Sequence, residues 1–318
     1  MTTNAPHPPS ALSEAETLER LYGLLAPLHI GAGWAKPTPS LWSEPRGQFA
    51  PAHWRYAEAK EALDAAGRLI NTELAERRNL VLINPAKGNG YATTKTLVAA
   101  YQMIMPGEKA RTHRHTPNAL RLILDAAPGA FSTVDGVKLA MMPGDVVLTP
   151  NWSWHGHGND GMANAYWLDF LDVPLVQLLE PMFFEPYPGD YQEAAASSES
   201  SPMRFAWTET RRRLDSVPSG TEIALGDPAL DTMALSMIGL RAGDATPNRR
   251  TTANNLYAVV AGTGTTNADG ERFAWQLGDV IAVPAWQPHT HAAVEEAVLF
   301  RVSDEPVMSR LGFLRAAD

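Results

Sequence analysis

Pro143-Gly144-Asp145-Val146-Val147-Leu148-Thr149-Pro150-Asn151-Trp152-Ser153-Trp154-His155-Gly156-His157 has a near copy later in the chain, where Gly278-Asp279-Val280 runs on to Pro284-Ala285-Trp286-Gln287-Pro288-His289. Each copy reads as a Gly-Asp turn, a short apolar strand, and a Pro-x-Trp close ending on histidine. Upstream of each stands an Asp-Gly pair, Asp135-Gly136 and Asp269-Gly270, between short apolar runs, which is a strong hairpin signal. The shared order of turn, strand and hairpin marks an internal duplication at domain scale.

Working outward, short apolar runs broken by Gly and Pro occupy 80–83, 97–105, 120–124, 137–141, 146–148 and 165–170, and again 234–240, 256–260, 272–275, 280–283 and 297–302. Many short strands with turn signals between them predict two all-β barrels. Around them, leucines at helical spacing predict a helix over 13–28 with Ser13 and Glu16 as a capping box. Residues 31–51, rich in Pro, Gly and Trp, read as an extended arm lying on another surface, and 56–77 as a second helix. Residues 176–184 carry a helical apolar stretch, and the Ser-rich 194–201 reads as a loose surface loop. The expected organisation is an N-terminal arm with helices (1–78), a first barrel (79–176), a linker with a helix (177–230) and a second barrel (231–318).

With 318 residues, 45% of them hydrophobic, the chain can bury a substantial core. A net charge of −9, with no like-charge block longer than Arg211-Arg212-Arg213, offers no basic stripe for a phosphate backbone, so nucleic acid is not an expected partner. No run approaches the roughly 20 apolar residues of a membrane helix, and the first ten residues lack the pattern of a secretory signal. A cytoplasmic protein with no membrane partner is expected. Cysteine is absent, which excludes disulfides and thiolate ligands and leaves nitrogen and oxygen to hold any metal.

Of nine histidines, six form three His-x-His pairs: His113/His115, His155/His157 and His289/His291. Two residues apart on a strand, His113 and His115 project from one face, and His155 arrives from a later strand, so three imidazoles can reach one point inside a barrel. Three neutral ligands leave a divalent ion its full charge and, on a six-coordinate ion, three open positions. An isolated pair of this kind is more often a solvated strand face or a hydrogen-bonded core feature. Here the spacing Gly107-x5-His113-x-His115, then Gly144-x5-Pro150-x4-His155-x3-Asn159, matches both cupin signature segments in order.

The chain resembles the cupins, and within them the gentisate 1,2-dioxygenase group that includes salicylate and 1-hydroxy-2-naphthoate dioxygenases. The likeness rests on His113-Arg-His-Thr-Pro-Asn-Ala-Leu-Arg121, on 143–157 quoted above, and on Trp167-Leu-Asp-Phe-Leu-Asp-Val-Pro174; Pro51-Ala-His-Trp-Arg-Tyr56 and Leu299-Phe-Arg-Val-Ser-Asp-Glu-Pro306 extend it over most of the chain. The resemblance implies a bicupin: two double-stranded β-helix jelly-roll barrels, with N-terminal helices and an extended arm. It implies an Fe(II) enzyme that inserts O2 between the carboxyl- and hydroxyl-bearing ring carbons of a small aromatic hydroxy acid. Gentisate is the first candidate, followed by salicylate, a 5-substituted salicylate or 1-hydroxy-2-naphthoate. A homotetramer with arm and helices at subunit contacts is implied as well.

The glutamate usual in cupins would follow His115 after three or four intervening residues, where Ala119 and Leu120 stand instead. The group shares this absence, which leaves room for a chelating carboxylate and phenolate. By resemblance the metal ligands are His113, His115 and His155; Arg121 binds substrate and stabilises its charge, and His157 is an acid/base group. Gln102 resembles a pocket glutamine, Asp169 a carboxylate near the substrate ring, and Arg78 a basic residue at the pocket mouth. For these the structural alternatives stay open: a rim ion pair for Arg121, salt bridges for Asp169 and Arg78, barrel hydrogen bonding for Gln102. Trp152 and Trp154 read as packing. Leu122 stands where the group has Phe. In the second barrel Arg249 and Thr251 match His113 and His115, so it is expected to be metal-free. A different class, a non-redox metal cupin such as an isomerase or small-molecule sensor, would keep the missing glutamate.

Overall fold

A computed structural model of the chain describes residues 11–71, 78–198, 200–226 and 229–317. It divides between Arg46 and Gly47 into a small N-terminal unit and a large unit holding both barrels.

In the small unit the helix is shorter than its apolar spacing suggested, α1 spanning Leu18–Leu25. The expected Ser13/Glu16 box does not start it. Thr17, extended at φ −135° and ψ 151°, is the cap, its hydroxyl accepting the Arg20 N–H. Short 3-10 turns follow at Ala26–Leu28 and Gly33–Ala35, and none of the residues in these helical segments is buried. The Pro-rich residues 1–10 lie outside the described residues.

The large unit opens with β1 (Ala52–Trp54) and α2 (Tyr56–Leu69). Helix α2 ends where Ile70 turns extended, and 72–77 of the expected helix lie outside the described residues. The first barrel follows: β2 (Arg78–Val81), β3 (Val98–Ile104), β4 (Lys109–His115), β5 (Ala119–Asp125), β6 (Ala130–Val134), β7 (Val137–Ala140), β8 (Val146–Thr149), β9 (His155–Asn159) and β10 (Ala165–Leu171). The linker adds α3 (Val173–Leu179), β11 (Phe184–Pro186), β12 (Ala196–Ser197), β13 (Arg204–Phe205) and α4 (Trp207–Asp215). Helix α3 lies earlier than the expected 176–184 because Glu180, at φ 72°, ends it in the left-handed region and Pro181 follows. Within the Ser-rich stretch Ala196 and Ser197 pair in parallel with β7; residue 199 lies outside the described residues.

Two six-stranded sheets, ordered β13-β8-β5-β10-β3-β2 and β11-β4-β9-β6-β7-β12, form the first jelly roll. The Asp135-Gly136 hairpin closes it as expected, Val134 pairing Val137. The second barrel repeats the plan with β14 (Glu222–Ala224), β15 (Ala234–Leu240), β16 (Arg250–Thr251), β17 (Asn255–Ala261), β18 (Thr263–Ala268), β19 (Glu271–Gln276), β20 (Val280–Val283), β21 (His289–Ala293) and β22 (Ala297–Ser303). Its sheets run β1-β20-β17-β22-β15-β14 and β19-β18-β21. The chain is a bicupin.

The Gly-Asp turns at its two symmetric corners each do the same pair of tasks. Asp145 accepts the backbone N–H of Trp207, the first residue of α4, at 2.7 Å, and Asp279 accepts that of Tyr56, the first residue of α2, at 2.9 Å. Each carboxylate thus satisfies a helix-start donor from across the fold. Gly144 (φ +85°) and Gly278 (φ +83°) leave room for the same two aromatic rings: a Cβ would lie 2.6 Å from Trp207 and 2.4 Å from Tyr56.

The outer faces of the β5-β10-β3 and β17-β22-β15 sheets share one core, in which Phe170 and Phe300 meet edge to face at 5.8 Å with Leu120, Leu122, Leu256 and Met237 around them. Burying side chains of this size contributes about 1.5–3 kcal/mol each. The barrels are thereby fixed to each other and their inner faces left for chemistry.

Candidate metal centre

Strands β4 and β9 run antiparallel, and a bulge between Ala110 and His113 sets His113 opposite His155. Alternation puts His113 and His115 on the inner face, while Arg114 between them points outward, bonds Glu185 at 2.7 Å and lies over the Trp152 and Trp154 rings. Neither tryptophan lines the cavity at the triad, and Trp152 is 38% exposed.

The ligand atoms of His113, His115 and His155 lie within 4.8 Å of one another. Each ring is oriented from behind. Nδ1 of His113 faces the Arg111 carbonyl at 3.3 Å, that of His115 the Pro117 carbonyl at 2.8 Å, and that of His155 the Ser153 carbonyl at 3.0 Å. An Nδ1–H donated to a carbonyl leaves the lone pair on Nε2, the tautomer that ligates a metal. Nε2 of His155 is buried with no hydrogen-bond partner. Burial, then the charges of Arg121 and the neighbouring histidines, hold His155 well below the usual imidazole range, so it stays neutral. A divalent ion fits this donor set. Among the described residues no carboxylate joins the group; Ala119, on the same strand face as Arg121, is buried where one might have stood, while Leu120 turns to the core between the barrels.

The triad opens on a cavity of about 220 Å³ walled by Asn79, Val81, Tyr91, Val98, Ala100, Gln102, Arg121, Asp169, Leu171 and Phe184. Arg121 reaches it from the opposite sheet. Strand β4 ends at His115, and Arg121 returns on β5 in the opposite sheet, 1% exposed. Its Nε lies 3.2 Å from Asp169 Oδ1 and its Nη1 donates to Thr149 at 2.5 Å. Asp169 also accepts from Gln102 at 2.5 Å and from the Trp167 indole at 2.9 Å. Arg121, Gln102 and Asp169 therefore form one network beside the triad.

Two other expected residues stand elsewhere. His157 is buried with Nδ1 2.9 Å from the Ser132 hydroxyl, its ring 6.2 Å from that of His155 and 5.5 Å from that of Trp167, and it is not among the residues that line the cavity. Arg78 does not stand at the pocket mouth. It packs near Gly67 of α2, and its guanidinium holds Glu108 at 2.6 Å and the Ile70 carbonyl at 2.7 Å. On a pleated strand its neighbours Asn79 and Val81 alternate with it, and Asn79 lines the cavity in its place. Sequence reasoning missed Asn79, Tyr91, Ala100 and Phe184; period-2 alternation from Gln102 back to Ala100 and Val98 could have found part of that wall.

The cupin-domain family profile matches residues 100–171, the heart of the metal-site barrel. The chain is 33% identical to the 5-aminosalicylate 1,2-dioxygenase of a Comamonas species, over 94% of this chain and 89% of that protein. It is 34% identical to gentisate 1,2 dioxygenase 1 of Aquipseudomonas alcaligenes, over 92% of each. It belongs to the gentisate 1,2-dioxygenase-like bicupin family. The crystal structure of a salicylate 1,2-dioxygenase from Pseudaminobacter salicylatoxidans superposes with a TM-score of 0.85 at 27% identity, covering 95% of this chain and 97% of that one. The enzyme class is therefore that of the aromatic ring-cleaving dioxygenases, and family and triad together call for a metal cofactor. As for membranes, no helix among the described residues is long and apolar enough to cross one.

Proposed function

We propose that this chain is an Fe(II)-dependent dioxygenase that opens the ring of a small 2-hydroxybenzoate between its carboxyl- and hydroxyl-bearing carbons, with O2 as co-substrate. The observation that carries the reading is a triad of histidines without a carboxylate, His113, His115 and His155, facing a cavity that contains Arg121. Bound there, Fe(II) would supply open coordination positions for an anionic chelate and the redox chemistry for O2.

The remaining work falls to this chain's side chains. Arg121, its Nε aligned by Asp169 and its Nη1 by Thr149, offsets the negative charge of the substrate carboxylate. Asp169, held by Gln102 and Trp167, keeps that guanidinium from swinging away. Val81, Val98, Ala100, Leu171 and Phe184 hold the ring and keep water from it. His157, bonded to Ser132 and outside the cavity lining, acts as a positioning residue behind His155 and Trp167. A cavity of about 220 Å³ has room for a substituted aromatic ring. Gentisate comes first, since a gentisate dioxygenase is among the relatives and a salicylate 1,2-dioxygenase has been solved with gentisate adducts; salicylate and 5-substituted salicylates follow. The relatives' names support oxygenation over an isomerase or sensor.

Residues 79–176 are assigned as the metal-bearing barrel and 231–318 as a metal-free one, with 1–78 as arm and helices and 177–230 as the linker; β1 and β14 from these two segments complete the second barrel's sheet. A cytoplasmic homo-oligomer, a tetramer, completes the reading. The test is to reconstitute the protein anaerobically with Fe(II) and measure O2 consumption with gentisate, salicylate, 5-aminosalicylate and 1-hydroxy-2-naphthoate. Stoichiometric uptake with a single-ring acid is expected. Zinc or nickel retained with no uptake on any of them would overturn the proposal.

A further inference from the structure

The second barrel keeps the inward-facing positions of the metal site and changes what stands on them. Arg249 pairs His289 as His113 pairs His155. Tyr257 faces Arg301 where Arg121 faces Asp169, and Glu222 faces Ile238 where Asn79 faces Gln102. His291 bonds Thr266 at 2.7 Å as His157 bonds Ser132. A fixed guanidinium thus replaces one metal ligand.

A barrel retained only as scaffold has no need of such groups, because a buried charged cluster is at best break-even against apolar packing of the same volume. This one instead encloses a cavity of about 410 Å³, larger than the 220 Å³ at the triad. The charged residues lining it are Arg249, Arg250 and Glu222, a net positive wall. Arg249 gives its Nη2 to Glu222, but its Nη1 is buried without a hydrogen-bond partner. His291, 2% exposed, likewise has no partner on Nε2. Thr266 accepts the Trp275 indole N–H at 3.0 Å and lies 2.7 Å from His291 Nδ1; in the tautomer in which Thr266 gives its own proton to that nitrogen, the ring proton sits on Nε2 and is the donor the site requires. His289 is not such a donor, since its Nε2 takes the Tyr257 hydroxyl at 2.7 Å. Arg249 and His291 line this one cavity together with the Tyr257 ring, Ile238 and Pro247, and the Arg249 guanidinium also stands beside the Tyr257 hydroxyl.

We propose that the second barrel is a binding site for a small aromatic carboxylate, its two oxygens taken by Arg249 Nη1 and His291 Nε2 and its ring by the apolar wall. Each orphaned donor would gain a charge-assisted hydrogen bond, and Glu222 is the resident carboxylate with which the ligand shares Arg249.

The probe is benzoate, titrated calorimetrically into the full chain carrying His113→Ala, which removes the metal site of the first barrel. Binding at one site per chain is expected. Adding Arg249→Met should weaken it at least tenfold, whereas adding Glu222→Gln, which removes the competing negative charge, should tighten it. Misfolding would weaken both, so the opposite signs separate ligand binding from damage. No benzoate binding in His113→Ala, binding indifferent to Arg249→Met, or weakening by both second substitutions would overturn the proposal. None of these outcomes depends on ring cleavage in the first barrel.

Discussion

Arg121 and Asp169 sit opposite each other on β5 and β10, guanidinium Nε 3.2 Å from carboxylate Oδ1, both almost wholly buried beside the three histidines. Breaking a buried pair by removing one charge costs about 3–5 kcal/mol. Asp169→Asn keeps the shape and loses the charge, and Gln102 and Trp167 lose an anionic acceptor with it. The expected result is a loss of about 3 kcal/mol in urea unfolding, with kcat/KM down at least tenfold and metal content unchanged. Wild-type turnover in Asp169→Asn would mean that the pair is only structural.

Metal content separates ligands from neighbours. His113→Ala and His155→Ala should each bring the bound-metal ratio close to zero and abolish O2 uptake, because each removes one of three donors that converge within 4.8 Å. Arg121→Ala should retain metal and lower turnover. His289→Ala should also retain it, since that ring is bonded to Tyr257 and matched with Arg249. Metal analysis after reconstitution checks all four, and equal loss in His113→Ala and Arg121→Ala would overturn the assignment.

Much of this was legible in the chain itself. The repeat from Gly144 to His155 and from Gly278 to His289 announced two barrels, and Asp135-Gly136 and Asp269-Gly270 announced their hairpins, because turn chemistry and strand alternation are local. The triad was legible because two of its ligands are two residues apart. Arg78 and His157 were less so: which face a strand residue shows depends on where the strand begins, and depth in a barrel depends on the opposite sheet. The task of Asp145 and Asp279 was hidden for a further reason. Their partners Trp207 and Tyr56 lie 62 and 223 residues away.

That hidden task predicts two costly glycines. Ala at 144 or 278 would have to hold a positive φ, costing about 1 kcal/mol, and would drive Cβ into Trp207 or Tyr56 at 2.6 or 2.4 Å. Overpacking adds about 1–3 kcal/mol. Gly136→Ala is the control, since it shares the positive φ of +78° but its Cβ would meet nothing nearer than 3.8 Å. Urea midpoints should fall by a similar, larger amount for Gly144→Ala and Gly278→Ala than for Gly136→Ala. Equal falls in all three would show that ring packing contributes nothing.

Glu222 links the second barrel to pH. Burial alone would raise its pKa, but the charges of Arg301 and Arg249 overcome that and hold it at about 2, against an ordinary 4.5. A carboxylate with a depressed native pKa gives stability that is fully present above its unfolded value and is lost as pH falls toward the folded one. The difference corresponds to about 3 kcal/mol at neutral pH. Glu222→Gln should therefore be less stable than wild type by that order at pH 7, with the gap closing between pH 4.5 and about 2. Urea unfolding of both proteins at pH 7, 4 and 2.5 reads the gap directly. A gap that stays constant down to the lowest pH would show that the amide costs packing or hydrogen bonding, and that the ion pairs with Arg249 and Arg301 carry no net stability.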